Sequence, residues 1–286
     1  MNLGYACINL GLSELPKSKR ITTNRSMIRR TFDQRGLPYA SKLSLQNCQD
    51  LSRILKWNKK NGFSFFRLSS NLFPWASEYR LEELPDYHRI KQTLAFGGQI
   101  AKIHKMRITS HPGPFNKLCS SDERILLNTI KELEHHGEVF DLLGLPRSPF
   151  AKINIHVGVT YGNKAKTAET FCRNFERLSD AVKTRLTVEN DDKASMYSTK
   201  DLYEMIYKRI GIPIVHDVHH HLFCTGGLSQ EEAMSLACTT WGDVKPQAHS
   251  DSYWEPVETF GLDVDVMCEC KHKEIGVFKL RELMRR

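Results

Sequence analysis

The feature that most constrains the fold is an alternation. A short apolar run is followed by a longer stretch with helical spacing, again and again along the 286 residues. Strands are predicted at 3–9, 63–70, 107–111, 151–158, 185–190, 213–218, 244–250 and 264–269. Helices are predicted at 44–60, where Leu51, Ile54 and Leu55 share a face, and at 86–105, 122–143, 167–184, 199–209, 229–239 and 271–285. Eight such units in this length predict an α/β fold, one (β/α)8 TIM barrel spanning residues 1–286. The competing arrangement is a doubly wound open sheet, which usually opens on a Gly-rich first turn. Neither G-x-G-x-x-G nor G-x-x-x-x-G-K-[ST] occurs, so no nucleotide cofactor is expected.

In a barrel strand, alternate residues face the lumen. Ile153, Ile155 and Val157 form an apolar row, so Asn154 and His156 point inward. Leu186 and Val188 face out, so Thr187 and Glu189 face in. The same phase sends Arg107, Thr109 and His111 inward, with Asp217, Asp265 and Glu269, and puts His249 in step with Lys245 and Gln247. His111, His156, Glu189, Asp217, His249 and Glu269 thus fall near the carboxyl ends of six strands, where barrel active sites are built. Crowded carboxylates repel one another and lose hydration; a divalent cation removes that conflict, and imidazole and carboxylate both suit zinc, manganese or iron. The run His219-His220-His221 offers a further imidazole. A set this rich predicts two or three ions, and adjacent ions suit phosphoryl chemistry, one activating water and another steadying the leaving oxygen. Sugar isomerisation is the competing chemistry. His88, His104, His135, His136 and His272 fall in helical stretches and are expected at the surface.

Composition narrows the partners. Lys and Arg number 41 against 33 acids, a net +8 that favours a polyanion. Arg67, Lys117 and Lys164, near strand ends, are candidates for holding phosphates. No apolar run is long enough to span a membrane, and the opening residues lack the basic lead of a secretion signal. The eight cysteines are scattered without a C-x-x-C pair, so buried free thiols in a reducing, DNA-containing compartment such as the cytoplasm are expected.

Several motifs carry a resemblance. Leu3-Gly4-Tyr5, Phe66-Arg67-Leu68-Ser69-Ser70, Pro74-Trp75-Ala76-Ser77 and His111-Pro112-Gly113 are among them. So are Ile155-His156-Val157-Gly158 with Gly162-Asn163-Lys164, Val188-Glu189-Asn190-Asp191, His216-Asp217-Val218-His219-His220 and Met267-Cys268-Glu269-Cys270-Lys271. In this order, over nearly the whole chain, they resemble UV damage endonucleases of the UvdE type. The resemblance implies a barrel like that of endonuclease IV with up to three divalent ions, manganese favoured over magnesium or zinc. It implies incision of UV-damaged double-stranded DNA immediately 5′ to a pyrimidine dimer or 6-4 photoproduct, leaving a 3′-hydroxyl and a 5′-phosphate. The implied ligands are His111, His156, Glu189, Asp217, His220, His249 and Glu269, with Glu189, Asp217, His249 and Glu269 central to catalysis. A monomer is expected.

Three departures stand out. Glu78 occupies the place of a histidine ligand and is expected to serve as a ligand itself. Gln247 stands where relatives carry a lysine that can be carboxylated, and the His-to-Glu change at 78 is expected to offset the lost charge. Pro114-Phe115 replaces a Gln-Tyr pair that probes the damaged base pair; Phe115 is expected to stack on bases, with Tyr5 as a second probe. The rival readings are an abasic-site endonuclease, a sugar isomerase, and a damage-binding protein without catalysis.

Overall fold

The computed structural model describes residues 1–285. Eight strands, β1 (Leu3–Ala6), β2 (Phe65–Arg67), β3 (Arg107–Thr109), β4 (Ile153–His156), β5 (Leu186–Glu189), β6 (Ile214–Asp217), β7 (Gln247–Ser250) and β8 (Asp265–Cys268), lie in the order β3-β2-β1-β8-β7-β6-β5-β4. Every pairing is parallel. A bridge from Ser110 to Ile153 joins the two ends, so the sheet closes into the expected TIM barrel. Closure leaves no sheet edge and brings the carboxyl ends of all eight strands to one mouth.

The inward–outward phase follows the alternation. Arg107 meets Asp265 across the lumen at 3.2 Å, and Thr187 donates to Asn154 at 2.7 Å, while Ile108, Ile153, Ile155, Leu186 and Val188 join the core between strands and helices. A separate small cluster of Ala6, Phe65 and Met267 fills the lumen. β1 passes so close to β2 that a Cβ on Gly4 would lie 2.7 Å from Phe65 Cγ and 2.9 Å from its carbonyl oxygen, so only glycine fits there.

The helices differ from expectation mainly at their ends. The first runs from Arg29 to Lys60, not from Ser44, and turns a corner at Gly36 (φ 56°) just before Pro38. A left-handed glycine followed by a proline restarts the helix, and the same pair breaks the sequence periodicity. The expected helix 167–184 is two, Lys164–Phe175 and Asp180–Lys183, and the stretch 199–210 contains a π turn at Tyr203–Tyr207. Tyr87–Ile103, Glu123–Leu142, Gln230–Cys238 and Lys273–Leu283 match their predicted spans to within a few residues. Asp122 caps its helix by accepting from the backbone of Arg124 and Ile125.

All eight cysteines are free, and six are buried. His136 is buried against Glu132 rather than exposed, and its neighbour His135 is half-buried against Phe73; one face of their helix packs inward and carries them with it. No helix among the described residues is long and apolar enough to cross a membrane.

Candidate metal centre

Glu189 ends β5 near the barrel axis and touches more of the candidate ligands than any other group. One of its carboxylate oxygens is 3.2 Å from His111 Nε2 and 3.1 Å from His249 Nδ1, and 3.9 Å from His156 Nε2. The other is 3.7 Å from His220 Nδ1. Donor atoms form two compact groups that share it, His111–His156–Glu189 and Glu189–Asp217–His249, each set within 4.8 Å. These imidazole and carboxylate donors would suit a divalent cation.

The imidazoles are pre-set for ligation. His111 Nδ1 lies 3.1 Å from the Pro112 carbonyl and His220 Nδ1 lies 2.9 Å from that of Asn190. A carbonyl can only accept, so His220 Nδ1 donates to it, whereas His111 stands between two acceptors, the Pro112 carbonyl at Nδ1 and the Glu189 carboxylate at Nε2. His156 Nδ1 faces Asp191 at 3.4 Å but makes no hydrogen bond. In the run 219–221, His219 is exposed, His221 packs on His216, and His220 turns to the cluster. Asp217 caps the short helix Val218–His221 by accepting from the His220 backbone at 2.7 Å, which fixes the three-residue offset between the two ligands.

His249 Nδ1 tests whether these residues fit a cation. It is fully buried, 2.9 Å from Glu269 and 3.1 Å from Glu189, yet makes no hydrogen bond. A buried imidazole nitrogen that faces two carboxylates without a hydrogen bond fits a divalent ion. The electrostatics agree. Burial and the nearby Glu189 push the Asp217 carboxyl up to about 6. Against the burial penalty, Glu189 and Asp191 lift His156 to about 9, and His249 and His156 hold Glu189 well below the usual carboxylate range. Carboxylates crowded this closely call for positive charge.

Several expected residues stand elsewhere. Glu78 is exposed and paired with Arg29 at 3.3 Å, outside both triads, because the left-handed turn at Trp75 carries it to the groove beside Phe115 and Lys117. It therefore does not offset the change at Gln247. Tyr5 is fully buried on the helix-facing side of β1, bonded to Asn58 at 2.5 Å and Asn9 at 3.1 Å, and cannot touch DNA. Its place in the outer apolar row of β1 dictates this. Arg67 is mostly buried and paired with Glu269, so its charge is spent inside the site. Lys164 is paired with Asp201 at 2.9 Å. Lys117 bonds the Gly158 carbonyl at 2.9 Å and ties the loop after β3 to the loop after β4. Pro114 and Phe115 are exposed at the mouth, Phe115 at 89%.

Gln247 accepts from Arg107 at 2.8 Å in the amide orientation that satisfies both, so it faces the barrel floor. Lys245 is deeper still, on Asp263 and Asp265. An amine nonetheless backs one of the candidate ligands. Lys152, fully buried on the residue before β4, places Nζ 2.6 Å from His249 Nε2. Burial drives its pKa down to about 7 despite the pull of Glu189 and Glu269. The alternation that places Asn154 and His156 inward also places Lys152 inward, so its signal lay in the strand phase. Asn190 and Asp191, which orient His220 and His156, carried no comparable signal.

The profile of the family described as UV-endonuclease UvdE matches residues 1–285. The chain belongs to that family. It is 31% identical to the UV-damage endonuclease of Schizosaccharomyces pombe over 97% of this chain and 50% of that protein. It is 33% identical to the UV-damage endonuclease of Neurospora crassa over 87% and 42%, and 30% identical to the UV DNA damage endonuclease of Clostridium perfringens over 98% and 69%. The UvdE chain thus spans half or less of the two fungal relatives' length. The crystal structure of SacUVDE superposes with a TM-score of 0.86 at 30% identity, covering 100% of this chain and 98% of that one. The 3-keto-D-glucoside 4-epimerase YcjR from E. coli, with a TM-score of 0.58 at 12% identity, shares the barrel alone.

Proposed function

We propose that this chain is a metal-dependent endonuclease that hydrolyses the DNA phosphodiester immediately 5′ to a UV photoproduct, leaving a 3′-hydroxyl and a 5′-phosphate. The observation that carries this reading is Glu189 shared between two donor triads at the mouth of a barrel whose family relatives are named UV-damage endonucleases. Two or three divalent ions, manganese foremost, would be held by His111, His156, Glu189, Asp217, His220, His249 and Glu269. When bound they supply the Lewis acidity that activates water and offsets phosphate charge. Arg67 orients Glu269, and Lys152 orients His249 from the side away from the cluster. The Asn190 and Pro112 carbonyls orient the His220 and His111 rings. Phe115 stacks against the distorted bases, and Pro114 stiffens the loop that carries it. The described residues 1–285 act as one catalytic barrel in a reducing, DNA-containing compartment.

The test is nicking of UV-irradiated supercoiled plasmid with manganese, beside Glu189→Gln. The wild type should nick irradiated plasmid only, and a chelator should abolish it. Glu189→Gln should bind less than half the wild-type metal and lose at least about a hundredfold in rate, since both triads lose their common ligand. Equal nicking of an abasic duplex would favour the abasic-site reading. Full metal loading with damage binding but no nicking would favour a binding protein.

A further inference from the structure

The mouth of the barrel carries an apolar tip that the reading above does not use. Leu222 and Phe223 are 66% and 55% exposed, side by side, directly after the helix that presents His220. They are not on a loose loop. Their backbone N–H groups donate to the carbonyls of His219 and His220 at 3.1 and 3.0 Å, and the next residue, Cys224, donates to His220 at 3.1 Å and is buried. His221, buried just before them, faces the Leu228 carbonyl at 3.1 Å. The Phe223 ring meets the edge of His219 at 5.3 Å, so its orientation is set. Two large apolar side chains are therefore held in water on a rigid turn, where they bury little of their own surface.

Their position says what covers them. In strand order, β6 and β3 stand three strands apart round the shorter way, with β5 and β4 between them. The turn after β6 and the Phe115 loop after β3 thus flank the candidate metal centre from two sides. Between them lies a cleft of about 350 Å3, lined by Pro114 and Lys117 on one side and His220 on the other. A protein partner seated on Leu222 and Phe223 would crowd the entrance to this cleft. Phe115, Leu222 and Phe223 stand outside the cleft, close in sequence to its lining residues Pro114 and His220, where a duplex laid across the mouth would reach them, and the chain's net charge of +8 suits it.

We propose that Leu222 and Phe223 form a second wedge, which enters the base stack of damaged DNA on the side of the metal centre away from Phe115. This rests on the endonuclease reading and adds a base-contacting element to it. Apolar wedges of this kind unstack a base step, at least cost where a lesion has already weakened the stack. Stacking of a base on an aromatic ring changes affinity about fivefold to a hundredfold on removal of the ring.

The experiment uses a duplex with one pyrimidine dimer and a 2-aminopurine reporter, placed in turn on either side of the lesion in both strands. It is followed by stopped flow with manganese-loaded protein. The wild type should raise emission, before incision, at two separate places. Leu222→Ser/Phe223→Ser should lose one rise and weaken binding about tenfold or more, with metal content unchanged. Phe115→Ser should lose the other, and Phe223→Trp should restore what the double variant lost. The wedge is overturned if the double variant unstacks every reporter as the wild type does, or if its defect follows lost metal. In either case the endonuclease reading stands as long as the wild type incises the lesion. A wild type that neither binds nor incises damaged DNA overturns the endonuclease reading, and the wedge with it.

Discussion

A lysine buried 2.6 Å from an imidazole is expensive to hold, and Lys152 sits in that position at the centre of the barrel. Burial drives its pKa from 10.5 to about 7. Between those values the unfolded chain binds a proton that the folded protein does not, so stability rises with pH across this window. Lys152→Met removes the effect. In urea titrations from pH 7.5 to 10 the wild type should gain on the variant by up to about 1.4 kcal/mol per pH unit. The variant should also bind manganese about 10–100-fold more weakly, because His249 loses the partner that orients it. A stability difference independent of pH would show that Lys152 stays charged. The neighbouring substitution at Gln247 reads differently in this light: its amide serves Arg107 on the barrel floor, and the amine nearest the cluster comes from across the lumen.

Elements are positioned by close approach as much as by caps. Helix Tyr87–Ile103 carries adjacent glycines, Gly97 and Gly98, both buried. A Cβ on Gly98 would lie 1.6 Å from the Leu143 carbonyl oxygen, a backbone atom that cannot move aside. A Cβ on Gly97 would meet only the Ser52 hydroxyl at 3.4 Å and a Leu143 methyl at 3.7 Å. Gly98→Ala should therefore cost about 3 kcal/mol or more in chemical denaturation. Gly97→Ala should fall within about 1 kcal/mol of wild type, since its helix-propensity gain offsets the contact. If both variants unfold alike, the two helices do not pack this closely. Sequence periodicity shows that both glycines lie in a helix, but not which of them a neighbouring backbone touches.

At the scale of the molecule, charge and its neutralisation would decide how the proposed DNA substrate is held. Of Arg67, Lys117 and Lys164, the first and last are paired with Glu269 and Asp201, while Lys117 bonds a neutral carbonyl and keeps its charge. Each phosphate contact contributes about 0.9 to the slope of log affinity against log salt. Binding of a damaged duplex across a salt series should therefore lose about 0.9 of slope in Lys117→Ala and almost none in Lys164→Ala. Equal losses would mean that Lys164 leaves Asp201 when DNA arrives.

The sequence alone carried the barrel and most of the candidate centre, since both rest on local periodicity. A strand's side chains alternate by stereochemistry, so His111, His156, Glu189, Asp217, His249 and Glu269 could be assigned to one face without knowing what lay opposite. The tertiary structure decided what depends on neighbours from distant strands. It paired Arg67 with Glu269, sent Glu78 to Arg29 and buried Tyr5 on Asn58. It also turned His220 inward while its neighbours turned away, and brought Lys152 across the lumen to His249. A side chain's direction is local, but its partner, its burial and its charge state are set by whatever the closed barrel places in front of it.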